Sequence, residues 1–211
     1  MATPRAGATK RRTRAQEEKE QLILESALDV FSRHGFRGST IDQIAEVAGM
    51  SKPNLLYYFA NKEAIHRLLI DRQLDTWLQP LREIDVDGDP LGEIGGYIRR
   101  KLEMARDYPR ESRLFANEIL QGAPRITDEM RDLKVLVDEK AKVIRSWAAE
   151  GRIASVDPHH LFFSIWATTQ HYADFDAQIK AVLEPRAFSD RFEKALAFLE
   201  QLYLDGLRPR S

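Results

Sequence analysis

The segment from residue 39 to residue 63, STIDQIAEVAGMSKPNLLYYFANKE, constrains the fold most, because it has the pattern of two short helices joined by a tight turn. Thr40 can cap the first helix, and Gln43 three residues later can complete a capping box. Apolar residues then recur at helical spacing on one face. Gly49 stands where this helix must end, since glycine adopts a positive φ without steric cost.

The second helix of the pair has Ser51 as its expected cap and Pro53 in its first turn, where the missing backbone N–H would have no partner in any case. Its exposed start consists of Lys52, Pro53 and Asn54. In a helix-turn-helix this end of the second helix meets base edges in the major groove. The segment therefore predicts a DNA-binding helix-turn-helix.

The rest of the chain predicts further helices and no strands. Apolar spacing favours a helix over residues 16–34, ended by Gly35, and another from Asn61 to about Pro80. After a loop at residues 85–90, helices are expected at residues 91–107, 110–121, 125–151, 157–182 and 187–206. The fold class is thus all-α. We expect three parts, namely a flexible basic arm (1–15), a three-helix DNA-binding domain (16–61) and a ligand-binding and dimerisation domain (62–211).

The charge distribution also favours nucleic-acid binding, although the formal net charge is only −1. Basic residues without acidic ones among them precede the first helix: Arg5, Lys10, Arg11, Arg12 and Arg14. Such an arm can reach phosphates or a minor groove. The alternative is a solvated disordered tail without a function.

Composition excludes several other classes. The chain has no cysteine, so neither a disulfide framework nor a thiolate metal site is available. No apolar run reaches the ~20 residues of a membrane span, and no apolar core of a signal peptide follows the N-terminal charges. We expect a soluble cytoplasmic protein that needs no cofactor.

The predicted helix at residues 157–182 has two largely apolar sides. One side carries Phe162, Phe163, Trp166, Thr169, Gln170, Ala173 and Asp174, and the other carries Leu161, Ile165, Thr168, Tyr172, Phe175 and Ile179. A helix with two apolar faces can pack on its own domain and on a second copy of the chain. With the last helix, it predicts a homodimer with a four-helix interface.

Three residues of this helix also suggest a ligand site. Trp166, Gln170 and Asp174 lie one helical turn apart in sequence, and polar groups against an apolar interior need partners. They can bond to neighbours such as Lys101 or Arg100. Alternatively, the indole stacks on a flat heterocycle while the amide and the carboxylate bind its polar edge.

The sequence SKPNLLYYFANKE, preceded by IDQIAEVAG and followed by long helices, resembles the TetR family of bacterial repressors. In that family an N-terminal helix-turn-helix is controlled by a small molecule bound in a helical C-terminal domain. The resemblance implies six DNA-binding residues: Thr40, Lys52, Pro53, Asn54, Tyr58 and Lys62. Lys52 and Asn54 would face base edges, whereas Thr40, Tyr58 and Lys62 would hold phosphates. Tyr57 matches a position usually buried in the domain core, and Leu56 replaces a tyrosine that often contacts phosphate.

The segment DPHHLFFSIWATTQHYADF narrows this resemblance to regulators of pyrimidine use, which implies uracil as the effector. The implied ligand-binding residues are Trp77, Trp166, Gln170 and Asp174, with Phe115 and Met104 as weaker candidates for the apolar lining. We expect a dimeric repressor of pyrimidine catabolism genes that uracil releases from a palindromic operator. The alternatives are another effector, or an architectural DNA-binding protein without an effector and without a cavity between Trp77 and Trp166.

Enzyme and metal-site hypotheses have weaker support. Tyr97 and Lys101 have the Y-x-x-x-K spacing of short-chain dehydrogenases, but no G-x-G-x-x-G accompanies them. The residue types of a metal site occur at Asp157, His159, His160 and His171. Helical geometry points the adjacent histidines apart. We therefore expect neither catalytic nor metal-binding residues.

Overall fold

A computed structural model describes residues 13–209, and their regular secondary structure is entirely helical. The helices are α1 (Arg14–Gly38), α2 (Ile41–Val47), α3 (Lys52–Tyr58), α4 (Lys62–Arg82), α5 (Pro90–Asp107), α6 (Pro109–Leu120), α7 (Thr127–Ala149), α8 (Pro158–Asp174), α9 (Asp176–Val182), α10 (Pro185–Ser189) and α11 (Arg191–Leu207). The all-α prediction is confirmed for this part of the chain. The predicted basic arm, apart from residues 13–15, lies outside the described residues.

The chain divides into two compact units, one ending at His66 and the other beginning at Arg67. This division falls inside α4, which begins at Lys62. None of the helices within residues 13–209 is both long and apolar enough to cross a membrane.

The first unit contains α1, α2 and α3. A capping box of Thr13 and Gln16 starts α1, two residues before the predicted start. Gly35 adopts φ 65° and interrupts the helix, which continues for one more turn to Gly38. The largest fully buried side chains of this unit are Ile23, Leu24, Phe31, Ile44, Leu55 and Ile65.

The helix-turn-helix has the predicted local structure. The Thr40 side chain accepts a hydrogen bond from the backbone N–H of Gln43 at 3.2 Å, and the Gln43 side chain accepts one from the backbone N–H of Thr40 at 2.8 Å. Gly49 has φ 63°, as the turn requires. Ser51 occupies the N-cap of α3 but its side chain makes no capping bond. The start of α3 therefore depends on Pro53 in its first turn.

The second unit is a helical bundle in which α5 packs against α8 and α11, and α8 also packs against α6 and α7. Its core includes Ile98, Ile144, Trp147, Phe162 and Ile165. The core continues the apolar stripe of α5, whose ends are fixed by the Asp89 cap and the Tyr108–Pro109 junction.

Two predicted helices of this unit are each divided in the structure. The helix predicted at residues 157–182 breaks at Phe175 into α8 and α9, and that predicted at 187–206 is divided at Asp190 into α10 and α11. Neither residue is a glycine or a proline, so the sequence carries no ordinary signal for a break.

Candidate functional site

The N-terminal end of α3 is accessible in the first unit. Lys52, Pro53 and Asn54 are all exposed. Lys52 Nζ lies 2.9 Å from Asp42 Oδ2, but both side chains are half or more exposed. An exposed ion pair of this kind contributes little stability, about 0–1 kcal/mol. It can therefore open at small cost when a base edge or a phosphate competes for the ammonium.

The burial predicted for Tyr57 is wrong. Its side chain is 74% exposed, and its ring meets the ring of Tyr58 edge-on with centroids 5.2 Å apart. The two-turn helix α3 turns Leu55 and Phe59 into the core instead. Positions one helical turn apart share a face, so Tyr57 points away from that face. Tyr57 therefore joins the half-buried Tyr58 on the accessible surface.

Two residues expected at phosphates have intramolecular bonds. Thr40 is exposed, but its hydroxyl belongs to the capping box. Lys62 Nζ donates to the carbonyls of Phe36 and Ser39, at 2.7 Å each, and lies 4.2 Å from the centroid of the Phe36 ring. Lys62 thus joins the end of α1 to the start of α4. An ammonium has three N–H donors, so one remains for a phosphate.

The second unit contains a cavity of about 60 Å³ between α4, α5, α6, α7 and α8. It is lined by Gln73, Leu74, Trp77, Leu78, Leu81, Tyr97, Lys101, Phe115, Leu133, Trp166 and Gln170. Four of the six predicted ligand residues, namely Trp77, Phe115, Trp166 and Gln170, are in this set. The rings of Trp77 and Phe115 lie 6.4 Å apart. The structure therefore brings these four side chains together around one cavity.

Asp174 and Met104 are not among the lining residues. Met104 is buried on α5. Asp174 Oδ1 accepts a hydrogen bond of 2.6 Å from Ser112 Oγ. The neighbours considered from sequence, Lys101 and Arg100, are not its hydrogen-bond partners, because Arg100 pairs with Glu83 at 2.7 Å. Asp174 lies a full turn beyond Gln170 on α8, which carries it past the cavity.

The electrostatic setting of Asp174 has opposing causes. Burial raises the pKa of this carboxyl. The hydrogen bond from Ser112 and the positive charges of Arg113, His171 and Lys101 act in the opposite direction. The carboxylate is therefore costly to bury and is held in place by its neighbours.

The sequence did not identify Tyr97 as part of this site. Trp166 Nε1 donates a hydrogen bond of 2.6 Å to Tyr97 Oη, and Tyr97 is only 2% exposed. Burial raises the pKa of the Tyr97 hydroxyl, so the group stays neutral and keeps its proton. The bond fixes the orientation of the Trp166 ring in the cavity wall.

Lys101 is the second residue whose position in the cavity wall the sequence did not predict. It is 5% exposed, and its Nζ lies 4.3 Å from the centroid of the Trp77 ring. Burial lowers the pKa of Lys101 to about 8, and the negative charge of Asp174 opposes that shift. Its Nζ forms no hydrogen bond or ion pair with any residue of the described chain.

Gln73 is the third. This side chain of α4 is 6% exposed. Its Nε2 donates to the backbone carbonyl of Glu111, whereas its Oε1 is buried without a hydrogen-bond partner. A polar residue within the apolar stripe of the predicted helix at 61–80 was the available sequence signal.

Buried residues come from both apolar sides of the predicted helix at residues 157–182. Leu161 and Ile165 are buried in the core of their own unit. The large apolar side chains left exposed on α8 and α11 are Phe163, Phe198 and Leu202, and Phe175 follows α8. A hydrogen-bond contact of 3.0 Å between Thr168 Oγ1 and Tyr203 Oη joins the two helices. Neither apolar side is therefore wholly exposed, because the helix also contacts α5, α6 and α7.

An accessible helix-turn-helix in one unit and a helical bundle with a cavity in the other are the parts expected of a DNA-binding transcriptional regulator. The chain belongs to the TetR family. Residues 23–68 match the family of bacterial regulatory proteins of the tetR type, and residues 70–210 match the C-terminal region of YcdC-like proteins. These matches confirm the family resemblance inferred from the helix-turn-helix.

One curated relative supports this assignment, and solved structures share the fold. The chain is 48% identical over 207 residues to the HTH-type transcriptional regulator RutR of Escherichia coli K12, covering 96% of each protein. A TetR-like regulator from Rhodococcus sp. RHA1 has a similar fold, with a TM-score of 0.67, 22% identity and coverage of 93% of this chain and 98% of that one. AibR in complex with isovaleryl coenzyme A and operator DNA also shares the fold, with a TM-score of 0.64, 19% identity and coverage of 87% and 97%.

Proposed function

We propose that this protein is a dimeric cytoplasmic repressor that binds a palindromic operator, is released from it by uracil, and controls genes of pyrimidine catabolism. The cavity bounded by Trp77 and Trp166 is the observation that carries the proposal. The 48% identity to RutR along nearly the whole chain supports the same assignment. An architectural protein without an effector has no need of such a cavity, so its presence counts against that alternative.

The cavity suits a flat, polar heterocycle. Trp77, Trp166 and Phe115 provide apolar walls for the ring faces. The Gln170 amide can donate to a carbonyl of uracil and accept from the adjacent ring N–H. Asp174, bonded to Ser112, acts through its charge on Lys101 instead of lining the ring.

Ligand binding would act on the DNA-binding unit through α4. Trp77, in the wall of the cavity, belongs to α4. The same helix carries Lys62 in the DNA-binding unit. A ligand that displaces Trp77 would therefore displace a helix to which both units contribute residues.

A displacement of α4 would change DNA binding by the dimer. In the dimer, two copies of α3 would read half-sites about 34–36 Å apart, with Lys52 and Asn54 at base edges and Thr40, Tyr58 and the remaining Lys62 donor at phosphates. A changed spacing of the two helices weakens DNA binding. An allosteric coupling of ~1–3 kcal/mol corresponds to a roughly 5- to 150-fold change in affinity. The exposed apolar residues on α8 and α11, together with Phe175, would form the dimer interface.

Calorimetric titration with nucleobases tests the effector assignment. Uracil should bind the wild-type protein, and Gln170→Ala should bind it at least 10-fold more weakly, because a buried carbonyl and N–H lose their partner. Leu78→Met, which changes an apolar residue of the same cavity, serves as the control and should keep most of the affinity. Failure of both uracil and thymine to bind the folded wild-type protein at millimolar concentration would contradict the proposal.

A further inference from the structure

The cavity contains two polar groups that the protein itself leaves without a hydrogen-bond partner. Lys101 Nζ contacts the Trp77 ring, and Gln73 Oε1 has no donor. Both side chains are more than nine-tenths buried and line the same cavity. Leaving buried polar groups unpaired is costly, and more so for a charged group. Such a cost is typical of a site that a ligand completes.

Each of these groups has a fixed direction of hydrogen bonding. An ammonium only donates, so Lys101 requires an acceptor. An amide can in principle be turned over, but the Gln73 nitrogen must face the Glu111 carbonyl, which only accepts. The free end of Gln73 is therefore its oxygen, which requires a donor. A ligand that satisfies both side chains must therefore carry a hydrogen-bond acceptor for Lys101 and a donor for Gln73.

We propose that Lys101 and Gln73 determine the specificity of the cavity by selecting oxo heterocycles over amino heterocycles. Building on the proposed function, this inference assigns an exocyclic oxygen of the ligand to Lys101 and a ring N–H to Gln73. The Asp174 carboxylate supports the arrangement because its charge favours the ammonium form of Lys101. Neither residue belongs to the helix-turn-helix, and neither is one of the aromatic residues that line the cavity.

The pair explains how uracil is separated from cytosine. In uracil each carbonyl adjoins a ring N–H, so one ligand supplies both the acceptor that Lys101 requires and the donor that Gln73 requires. In cytosine the amino group would place N–H donors against the Lys101 ammonium, and the unprotonated ring nitrogen would face Gln73 Oε1. Both mismatches would leave polar groups of a largely apolar cavity without a hydrogen-bond partner, which weakens binding.

The test is the ratio of uracil to cytosine affinity, measured by calorimetry on the full-length protein. Lys101→Met keeps the length of the side chain and removes the ammonium. It should weaken uracil binding about 10- to 100-fold and reduce the preference for uracil by a similar factor. Lys142→Met, which removes an exposed ammonium of α7 outside the cavity, is the matched control and should keep the wild-type preference. Melting curves of both variants establish that they are folded, as expected when an apolar group replaces a buried charge.

Two ligands that each lack one oxygen provide a readout that a purely structural role for Lys101 would not give. 2-Pyrimidinone lacks the C4 oxygen that would face Lys101, so it should bind wild type and Lys101→Met equally. 4-Pyrimidinone keeps this oxygen and should bind Lys101→Met more weakly than wild type. Gln73→Met should likewise weaken uracil binding. In the Gln73→Met background, Lys101→Met should still weaken binding of only the pyrimidinone that keeps the oxygen facing Lys101. An unchanged preference for uracil in Lys101→Met, or an equal loss for both pyrimidinones, would overturn the inference.

The same panel separates this inference from the effector assignment. If the wild type binds uracil and Lys101→Met discriminates as the wild type does, only the role of Lys101 fails. If the wild type binds hypoxanthine over adenine but no pyrimidine, the uracil assignment fails and the selection of oxo rings stands. If no oxo heterocycle binds, both are overturned.

Discussion

Removing one hydroxyl from the cavity wall should destabilise the second unit. Tyr97→Phe deletes the oxygen that accepts the 2.6 Å hydrogen bond from Trp166 Nε1. Tyr97 is buried, and the ring edge of Phe162 packs against it with centroids 6.1 Å apart. The phenylalanine ring fills the same space, so the substitution changes polar bonding with almost no change in packing.

The expected loss follows from the donor that remains. A buried N–H without an acceptor costs about 1–3 kcal/mol. Because Trp166 is only partly buried, and because the variant no longer desolvates a phenol oxygen, we expect about 1–2 kcal/mol. For a protein of this size that loss lowers the melting temperature by about 2–8 °C.

Urea denaturation followed by tryptophan fluorescence measures this loss in the relevant unit. All three tryptophans, Trp77, Trp147 and Trp166, lie after residue 66, so the signal reports on the second unit. The midpoint should fall without a change in slope. The matched control is Tyr203→Phe, which loses a contact with Thr168. The Thr168 hydroxyl also donates to the backbone carbonyls of Ser164 and Ile165, so the variant leaves no polar group without a partner.

The control should cost less than about 0.5–1 kcal/mol. Equal destabilisation by Tyr97→Phe and Tyr203→Phe would refute the reasoning that the orphaned indole N–H carries the cost. A double-mutant cycle with Trp166→Phe, followed by circular dichroism, should give a coupling energy of about 1 kcal/mol between the two residues.

Three further predictions concern DNA, assembly and pH. Asn54→Ala should weaken operator binding by ~1–3 kcal/mol and relax the preference at one base pair of each half-site; equal losses on operator and random DNA in a binding titration would argue against base contact. Phe175→Glu should shift the dimer toward monomer in sedimentation, because the interface would bury an unpaired charge, and a monomeric wild type would contradict the two-half-site account. Burial raises the pKa of Asp174 above 3.8, so the native state binds the carboxyl proton more tightly than the unfolded chain does. The stability that the protonated carboxyl contributes is therefore fully present below pH 3.8 and is lost as pH rises through the raised pKa. The difference in unfolding free energy between wild type and Asp174→Asn should therefore fall over that window, and a difference that rises with pH would show that the sign is wrong.

The helix-turn-helix was predictable because its signals are local. Thr40, Gln43 and Gly49 act within a few residues of their own positions, and each has the predicted conformation or bond. The burial of Tyr57 was not predictable in this way. It depends on which face of a two-turn helix the core selects, and Leu55 and Phe59 take that face.

The cavity was predictable only in its apolar walls. Trp77 and Trp166 stand out as large aromatic residues on long helices. Lys101, Gln73 and Tyr97 acquire their roles from neighbours on other helices, as the bond from Trp166 to Tyr97 illustrates. Sequence spacing within one helix contains no information about such contacts. The same reason explains why the two apolar sides of the predicted helix did not show which of their residues are buried.

The central claim is that uracil and operator DNA bind antagonistically to this protein. It is tested most directly by fluorescence anisotropy of a labelled operator duplex at constant salt, titrated with protein in the absence and presence of saturating uracil. We expect uracil to weaken operator binding roughly 5- to 150-fold and cytosine to leave it unchanged, and we expect Gln170→Ala to bind the operator normally without responding to uracil. Operator affinity that stays the same with saturating uracil bound to the wild-type protein would contradict the account.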